Sequence, residues 1–370
     1  MRILIAPDSF KGSLSAKEVA DSLEKGLMKY NASLSIEKLP LGDGGEGTLD
    51  TLISNKIYTG EKWSFDDPYV GQCSVVVGVA ENKTYLESAS VLGLPWFHDN
   101  RIPFGNRNSR SLGILLKQAC EKGYRKCQIG LGGTGCHDWG LGMAYEMGVE
   151  FLNKQGNLIE QPWANPQGIH HFIVPKIEIS ITALSDIDAP LTGNAGAALE
   201  YAKQKGANDL KSLEKIAFHL LEVLNRNTNK DFRGVKGGAA AGGLGFGLAA
   251  FFNAEITSGI QTASKNLQLE KHVSQCDLVI TGEGKIDTQS FDGKVLSGIL
   301  SLARKHCKPV VIVCGKAEKQ VRSKLNKEVL QLLETNTFAE SEQESIQKTG
   351  YILQNRLAKI LAKNLKDKRK

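Results

Sequence analysis

The sequence predicts a two-domain α/β protein, with one parallel-sheet domain built from both chain ends and a second α/β domain inserted between them. Three observations predict it. The 370 residues exceed what one hydrophobic core usually serves. Short, continuously apolar runs alternate with helix-periodic segments at both ends, as a sheet buried on both faces requires. Between about residues 60 and 275 the character changes to longer, partly alternating strands and glycine-rich stretches. The expected division is 1–60 with 275–370 for the discontinuous domain and 61–274 for the insert, with the functional site in the cleft between them.

The elements follow in order. Arg2–Ala6 is a short buried strand. Ser15 and Glu18 form a capping box that opens a helix whose Ala16, Val19, Ala20, Leu23 and Leu27 face a sheet. Ser35–Leu41 is a second strand, and Leu49, Leu52 and Ile53 mark the helix after it. Gln72–Val79 and Lys83–Glu87 read as extended strands, Cys127–Leu131 and Ile177–Leu184 as strands ending in polar loops. Gly237–Phe252, with six glycines, reads as a buried helix. Near the C-terminus, Asp277–Thr281 is a strand ending in the loop Gly282–Asp287. A helix over about Lys294–His306 and the strand Pro309–Cys314, closed by Gly315, complete the pattern.

Composition narrows the classes. Hydrophobic residues at 41% and charged residues at 23% are ordinary for a soluble globular chain. Part of the net charge of +6 comes from Lys363, Lys366, Lys368, Arg369 and Lys370, read as a solvated helix end. No zinc-finger, RNP or basic-zipper pattern supports a nucleic-acid partner. No apolar run approaches the ~20 residues of a membrane span, and no signal-peptide pattern precedes Arg2. Seven cysteines, an odd number without CxxC spacing, fit a reducing compartment, the cytoplasm. Nothing in the sequence sets an oligomeric state.

Four regions at predicted strand ends carry chemistry-bearing residues. Ligands of open α/β sheets bind there, and glycine lets backbone amides approach an anion. In the first, Asp8–Ser13, Lys11 can pair a phosphate or carboxylate while Asp8 binds Mg²⁺ or orients a hydroxyl; a capped polar turn is the plainer reading. In the second, Gly42–Thr48, glycines surround Asp43 and Glu46; the acidic pair fits a bridging metal, and a tight turn explains the glycines equally well. In the third, Gly130–Asp138, Gly132 and Gly133 can cradle phosphate, with Asp138 a better candidate than the isolated His137. The fourth joins Asp186 and Asp188, two apart and expected on one face, to Glu283, Lys285 and Asp287. Close carboxylates can hold Mg²⁺ or accept the proton of a substrate hydroxyl, and a cation can neutralise phosphate. That mixture suits phosphoryl transfer. GxxxxGK[ST], the protein-kinase set, GxSxG and HExxH are missing, and so is GxGxxG in its dinucleotide context, since the N-terminal strand is followed by Pro7-Asp8-Ser9 without the glycines.

These blocks, in this order, resemble the type I glycerate kinase family. Ala6–Ser15 is similar to its opening block, Asp43–Thr48 to its second, and Ala241–Gly245, Asp277–Gly284, Ile286-Asp287 and Gly293-Lys294 to later ones. The resemblance implies a flavodoxin-like domain interrupted by a second α/β domain. It implies ATP and Mg²⁺, with D-glycerate as acceptor and 2-phosphoglycerate as product. Carried onto this chain, Asp8, Lys11, Asp186, Asp188 and Lys285 are expected in catalysis and Asp43 and Asp287 at the metal. Substrate and phosphate contacts are expected from Ser9, Ser13, Gly44, Gly45, Glu46, Gly132, Gly133, Thr134, Asp138, Gly282, Glu283 and Gly284. The chain departs from the family at His137 (asparagine in the family pattern), Trp139 (glycine), Ala189 (asparagine) and Lys285 (commonly arginine). These changes are expected on loops rather than in the core, with Trp139 closing space near a ligand. A kinase for a related hydroxy acid, or a catalytically weak or silent binding protein, are the alternatives they suggest.

Overall fold

The computed structural model describes residues 1–291 and 294–367. Gly293 and the basic residues 368–370 lie outside the described residues. In chain order the strands are β1 (Arg2–Ile5), β2 (Ser35–Lys38), β3 (Thr59–Asp67), β4 (Gly71–Ala80), β5 (Lys83–Glu87), β6 (Lys126–Gly130), β7 (Glu150–Leu152), β8 (His171–Ile173), β9 (Ser180–Leu184), β10 (Glu255–Thr257), β11 (Leu278–Ile286), β12 (Val310–Ala317) and β13 (Gln331–Glu334). The chain forms two compact units. Unit 1 is Met1–Asp43, Asp50–Ile57 and Gly259–Lys370; unit 2 is Gly44–Leu49 and Tyr58–Ser258.

Unit 1 holds a five-stranded, wholly parallel sheet in the order β13-β12-β11-β1-β2. Counted within the unit alone, that order is 2-1-3-4-5, the flavodoxin-like arrangement, with its switch point between the first and third strands. β1 shows how the sequence fixes it. Ile3 and Ile5 pack with Val19, Leu23 and Leu27 of helix Ala16–Tyr30 and with Leu353 and Leu357. Leu4 and Ala6 point the other way, toward Val295 and Ile299 of helix Val295–Lys305. Helices therefore cover both faces. The capping box forms as the sequence predicts: Ser15 Oγ accepts the Glu18 N–H at 3.3 Å and Glu18 Oε2 accepts the Ser15 N–H at 2.8 Å. Such a cap contributes about 1 kcal/mol.

One element of unit 1 differs from expectation. Gly282–Ile286 is strand, not loop: β11 continues to Ile286 and pairs Glu283 with Cys314 and Lys285 with Lys316 of β12. β12 likewise runs through Gly315 to Ala317. The glycines serve close strand approach, since a Cβ on Gly282 would overlap the Val313 carbonyl.

Unit 2 holds a six-stranded mixed sheet, β10-β9-β6-β5-β4-β3, in which β3, β4 and β5 pair antiparallel and the rest parallel. β7 and β8 form a separate antiparallel pair. The glycine-rich helix runs Ala240–Phe252 and is buried, but its start is not helical: Ala241, Gly242 and Gly243 have φ of 56°, 73° and 87°. The reason is packing. Side chains at Gly242 and Gly243 would collide with the backbone of Cys136 and Trp139. His137 and Trp139 are accordingly buried, 6% and 2% exposed, so these two departures face the interior rather than a ligand.

Candidate active site

The unit 1 site grows from the ends of β1 and β11. Beyond β1 the chain turns sharply; the Asp8 N–H donates to the Gly282 carbonyl at 2.8 Å, and Thr281 Oγ1 donates to the Ala6 carbonyl at 2.8 Å. Phe10, 1% exposed, anchors the turn, and Gly12 (φ 78°) lets it close. Asp8 is thereby held 9% exposed among Asp43, Glu283 and Lys11. Burial first, and then the Asp43 charge, push the Asp8 carboxyl up to about 8, against the pull of the Ser9 N–H and Lys11. Burial also raises Glu283, against a hydrogen bond from Ser290, and its Oε1 is buried without a hydrogen-bond partner among the described residues. Lys11 Nζ lies 3.9 Å from Asp43 Oδ2.

These groups line one cavity of about 540 Å³, of a size that takes a small-molecule ligand. Ser9, Ser13, Gly284, Lys285 and Asp287 line it too. The Ser13 hydroxyl is engaged, donating to the Ile346 carbonyl at 2.6 Å. Lys285 is engaged as well, 2.8 Å from Glu318 and 3.7 Å from Asp287, and hydrogen bonding to Glu318 raises its pKa. Sequence reasoning did not name Lys316, Asn336, Ile346 or the start of helix Glu342–Ile352, which also line it, and it quoted Lys294 only within a family block. A signal was present in Ser341-Glu-Gln-Glu344, a capping pattern; the Ser341 side chain accepts the Glu344 N–H at 3.1 Å.

The remaining expected residues lie in unit 2. Gly44, Gly45 and Glu46 pack beside the loop after β6: a Cβ on Gly132 would lie 2.8 Å from Gly45 Cα, and one on Gly133 3.7 Å from Glu46 Oε2. Asp138 is a structural tie instead of an open ligand. It is 3% exposed and accepts from the Ser109 N–H and hydroxyl, each at 2.8 Å, and from the N–H groups of Gly142 (2.9 Å) and Gly140 (3.3 Å). Burial lowers His137 to about 3, so the ring is neutral at physiological pH and does not shuttle protons there. Asp186 and Asp188 do not share a face. Both lie past the end of β9, where strand alternation no longer applies. Asp186 Oδ1 accepts from Ser258 Oγ at 2.8 Å, whereas Asp188, 83% exposed, pairs with Lys236 at 3.4 Å.

A magnesium ion implied by the family can be tested against these side chains. Among the described residues, no group of three or more His, Cys, Asp or Glu side chains is arranged to hold a metal alone. The Asp8–Asp43–Glu283 cluster nevertheless fits a cation that arrives with phosphates. Magnesium commonly takes one or two carboxylates plus phosphate oxygens, and here mutual repulsion and a partnerless buried oxygen stand ready to be relieved.

The glycerate kinase family profile matches residues 3–365. The chain is 34% identical over 329 residues to the glycerate 2-kinase of Escherichia coli K12, and 31% identical over 329 residues to a glycerate kinase of Bacillus cereus. Each match covers 85% of both chains. A solved structure from Salmonella typhimurium LT2, assigned provisionally as a glycerate kinase 2, superposes with a TM-score of 0.80 at 28% identity, covering 100% of this chain and 99% of the other. No helix among the described residues is long and apolar enough to cross a membrane. The chain belongs to the glycerate kinase family of phosphotransferases.

Proposed function

We propose that the protein transfers the γ-phosphoryl group of ATP to the 2-hydroxyl of D-glycerate, giving 2-phosphoglycerate. The observation that carries this reading is the carboxylate cluster of Asp8, Asp43 and Glu283 beside Lys11, at the switch point of the unit 1 sheet. Asp8, rather than Asp186 or Asp188, is the proton acceptor for the hydroxyl, because burial and Asp43 give it the proton affinity a general base needs near neutral pH. Asp43 and Glu283 would hold Mg²⁺, with Asp287 nearby. When bound, the ion supplies charge neutralisation at the phosphoryl group. Lys11, Lys294 and Lys316 offer further positive charge along the cavity.

The interior packing of Trp139 favours this reading over a silent binding protein, since the bulk replacing glycine is turned into the unit 2 core. The cytoplasm is the compartment we assign, supported by seven cysteines that are all free thiols. The test is release of ADP by the purified protein with MgATP, with and without D-glycerate, followed by ³¹P NMR of the product. Glycerate-dependent release with phosphate on the 2-position is expected. Folded protein that turns over a related hydroxy acid but not glycerate would reassign the acceptor.

A further inference from the structure

We propose that Asn336 reads the nucleotide base, its side-chain oxygen accepting the exocyclic amine of adenine at the β13 end of the unit 1 cavity. This deepens the kinase reading and rests on ATP as the phosphoryl donor.

The strand register lays the cavity out as a line. Glu283 of β11 pairs with Cys314 of β12, and Cys314 with Glu334 of β13. Two residues further along come Lys285, Lys316 and Asn336, the last in the turn Thr335–Phe338 that follows β13. β11 and β13 are two strand spacings apart, about 10 Å. Glu283, Lys285, Lys316 and Asn336 all line the one cavity. A triphosphate with its terminal phosphate at the Asp8–Asp43–Glu283 cluster runs past Lys285 and Lys316 and brings its base to the β13 end.

The wall at that end disfavours phosphate and suits a base. Glu340 and Glu342 line it, and the helix that starts there is already capped. The Ser341 side chain accepts the Glu344 N–H at 3.1 Å, and Glu344 Oε2 accepts the Glu340 N–H at 2.7 Å. Ile346, one turn into the helix, lines the cavity and is 42% exposed, an apolar surface that the flat face of a base covers. The buried hydroxyls of Thr335 and Ser345 hydrogen-bond at 2.9 Å, which holds their chain neighbours Asn336 and Ile346 on adjoining turns.

Asn336 supplies the polar contact. Its Oδ1 is buried and has no hydrogen-bond partner among the described residues, a cost that a donor on the ligand removes. An amide oxygen only accepts, so the oxygens of ionised phosphate and carboxylate, acceptors themselves, do not satisfy it. On adenine the donor is the 6-amino group, and an asparagine amide can engage that amine together with N7. The ribose hydroxyls, the other donors of the nucleotide, stand closer to the phosphates than the amine does.

The test uses the full chain and calorimetric titration with ADP and with its 6-deamino analogue, purine riboside 5′-diphosphate, so that no turnover is needed. Wild-type protein is expected to bind ADP roughly tenfold to a hundredfold more tightly than the analogue. Asn336→Leu keeps the side-chain shape and removes the amide. In that variant, shown to be folded by circular dichroism, ADP affinity falls to the analogue's while the analogue binds as it does to wild type. Asn336→Asp, which keeps an acceptor oxygen, retains the preference for ADP. In kinetic runs the KM for ATP rises by the same factor in Asn336→Leu, and the KM for D-glycerate stays near the wild-type value. Equal binding of ADP and the analogue by wild type overturns the proposal, as does wild-type discrimination in Asn336→Leu or a matching loss of both ligands; glycerate turnover, and with it the kinase reading, survives the first two results. If wild type discriminates against the analogue and Asn336→Leu does not, yet D-glycerate is not phosphorylated, the base contact stands while the acceptor reading fails.

Discussion

At the scale of the residue, Trp139 shows how a sequence identifies a departure without its direction. Its φ of 56° is the left-handed conformation that suits glycine, and its ring is 2% exposed, edge-on to His137 at 5.2 Å. The backbone has kept a glycine's shape while the side chain fills the core around Leu191 and Phe246. Two opposed magnitudes decide what a return to glycine does. Relief of the left-handed strain gains about 1–2 kcal/mol, and loss of a buried tryptophan costs about 3–5 kcal/mol. Trp139→Gly is therefore expected to lose about 1–4 kcal/mol in urea unfolding; a variant as stable as wild type would contradict the packing. The acidic and basic residues at strand ends were legible from residue type, but their partners were not. Glu318 beside Lys285, Lys236 beside Asp188 and the Ser109 amide and hydroxyl at Asp138 come from distant segments, and no local pattern announces them.

At the scale of the element, apolar alternation was the legible part. Helix Ala16–Tyr30 begins at its predicted cap, and helix Val295–Lys305 lies within its predicted range. Glycine misled in both directions. In β11 it was read as loop punctuation, though Gly282 is there to let β12 come close. In Gly237–Phe252 it was read as helix, although three residues turn left-handed to admit the loop at Cys136–Trp139. Gly282→Ala puts a methyl group onto the Val313 carbonyl and is expected to destabilise unit 1 by about 3 kcal/mol, seen as a lower Tm or loss of soluble protein. An unchanged Tm would mean that the Gly282–Ile286 stretch is a loop after all. The extension matters for chemistry, because a strand places Glu283 more rigidly than a loop would.

At the scale of the whole molecule, the parallel sheet of unit 1 was legible from alternating strands and helices, but its 2-1-3-4-5 order was available only through the family resemblance. Strand pairing joins Arg2–Ile5 to Leu278–Ile286, across most of the chain, and a single sequence does not record such contacts. That pairing assembles the site: Asp8 comes from the first strand end, Asp43 from beyond the second, and Glu283 from β11. The central claim is that this cluster performs phosphoryl transfer with Asp8 as base. The most direct test is kcat of Asp8→Asn with saturating MgATP and D-glycerate, in protein shown to be folded by circular dichroism. The account predicts a fall of roughly 10²–10⁴-fold, and a kcat close to wild type would contradict it.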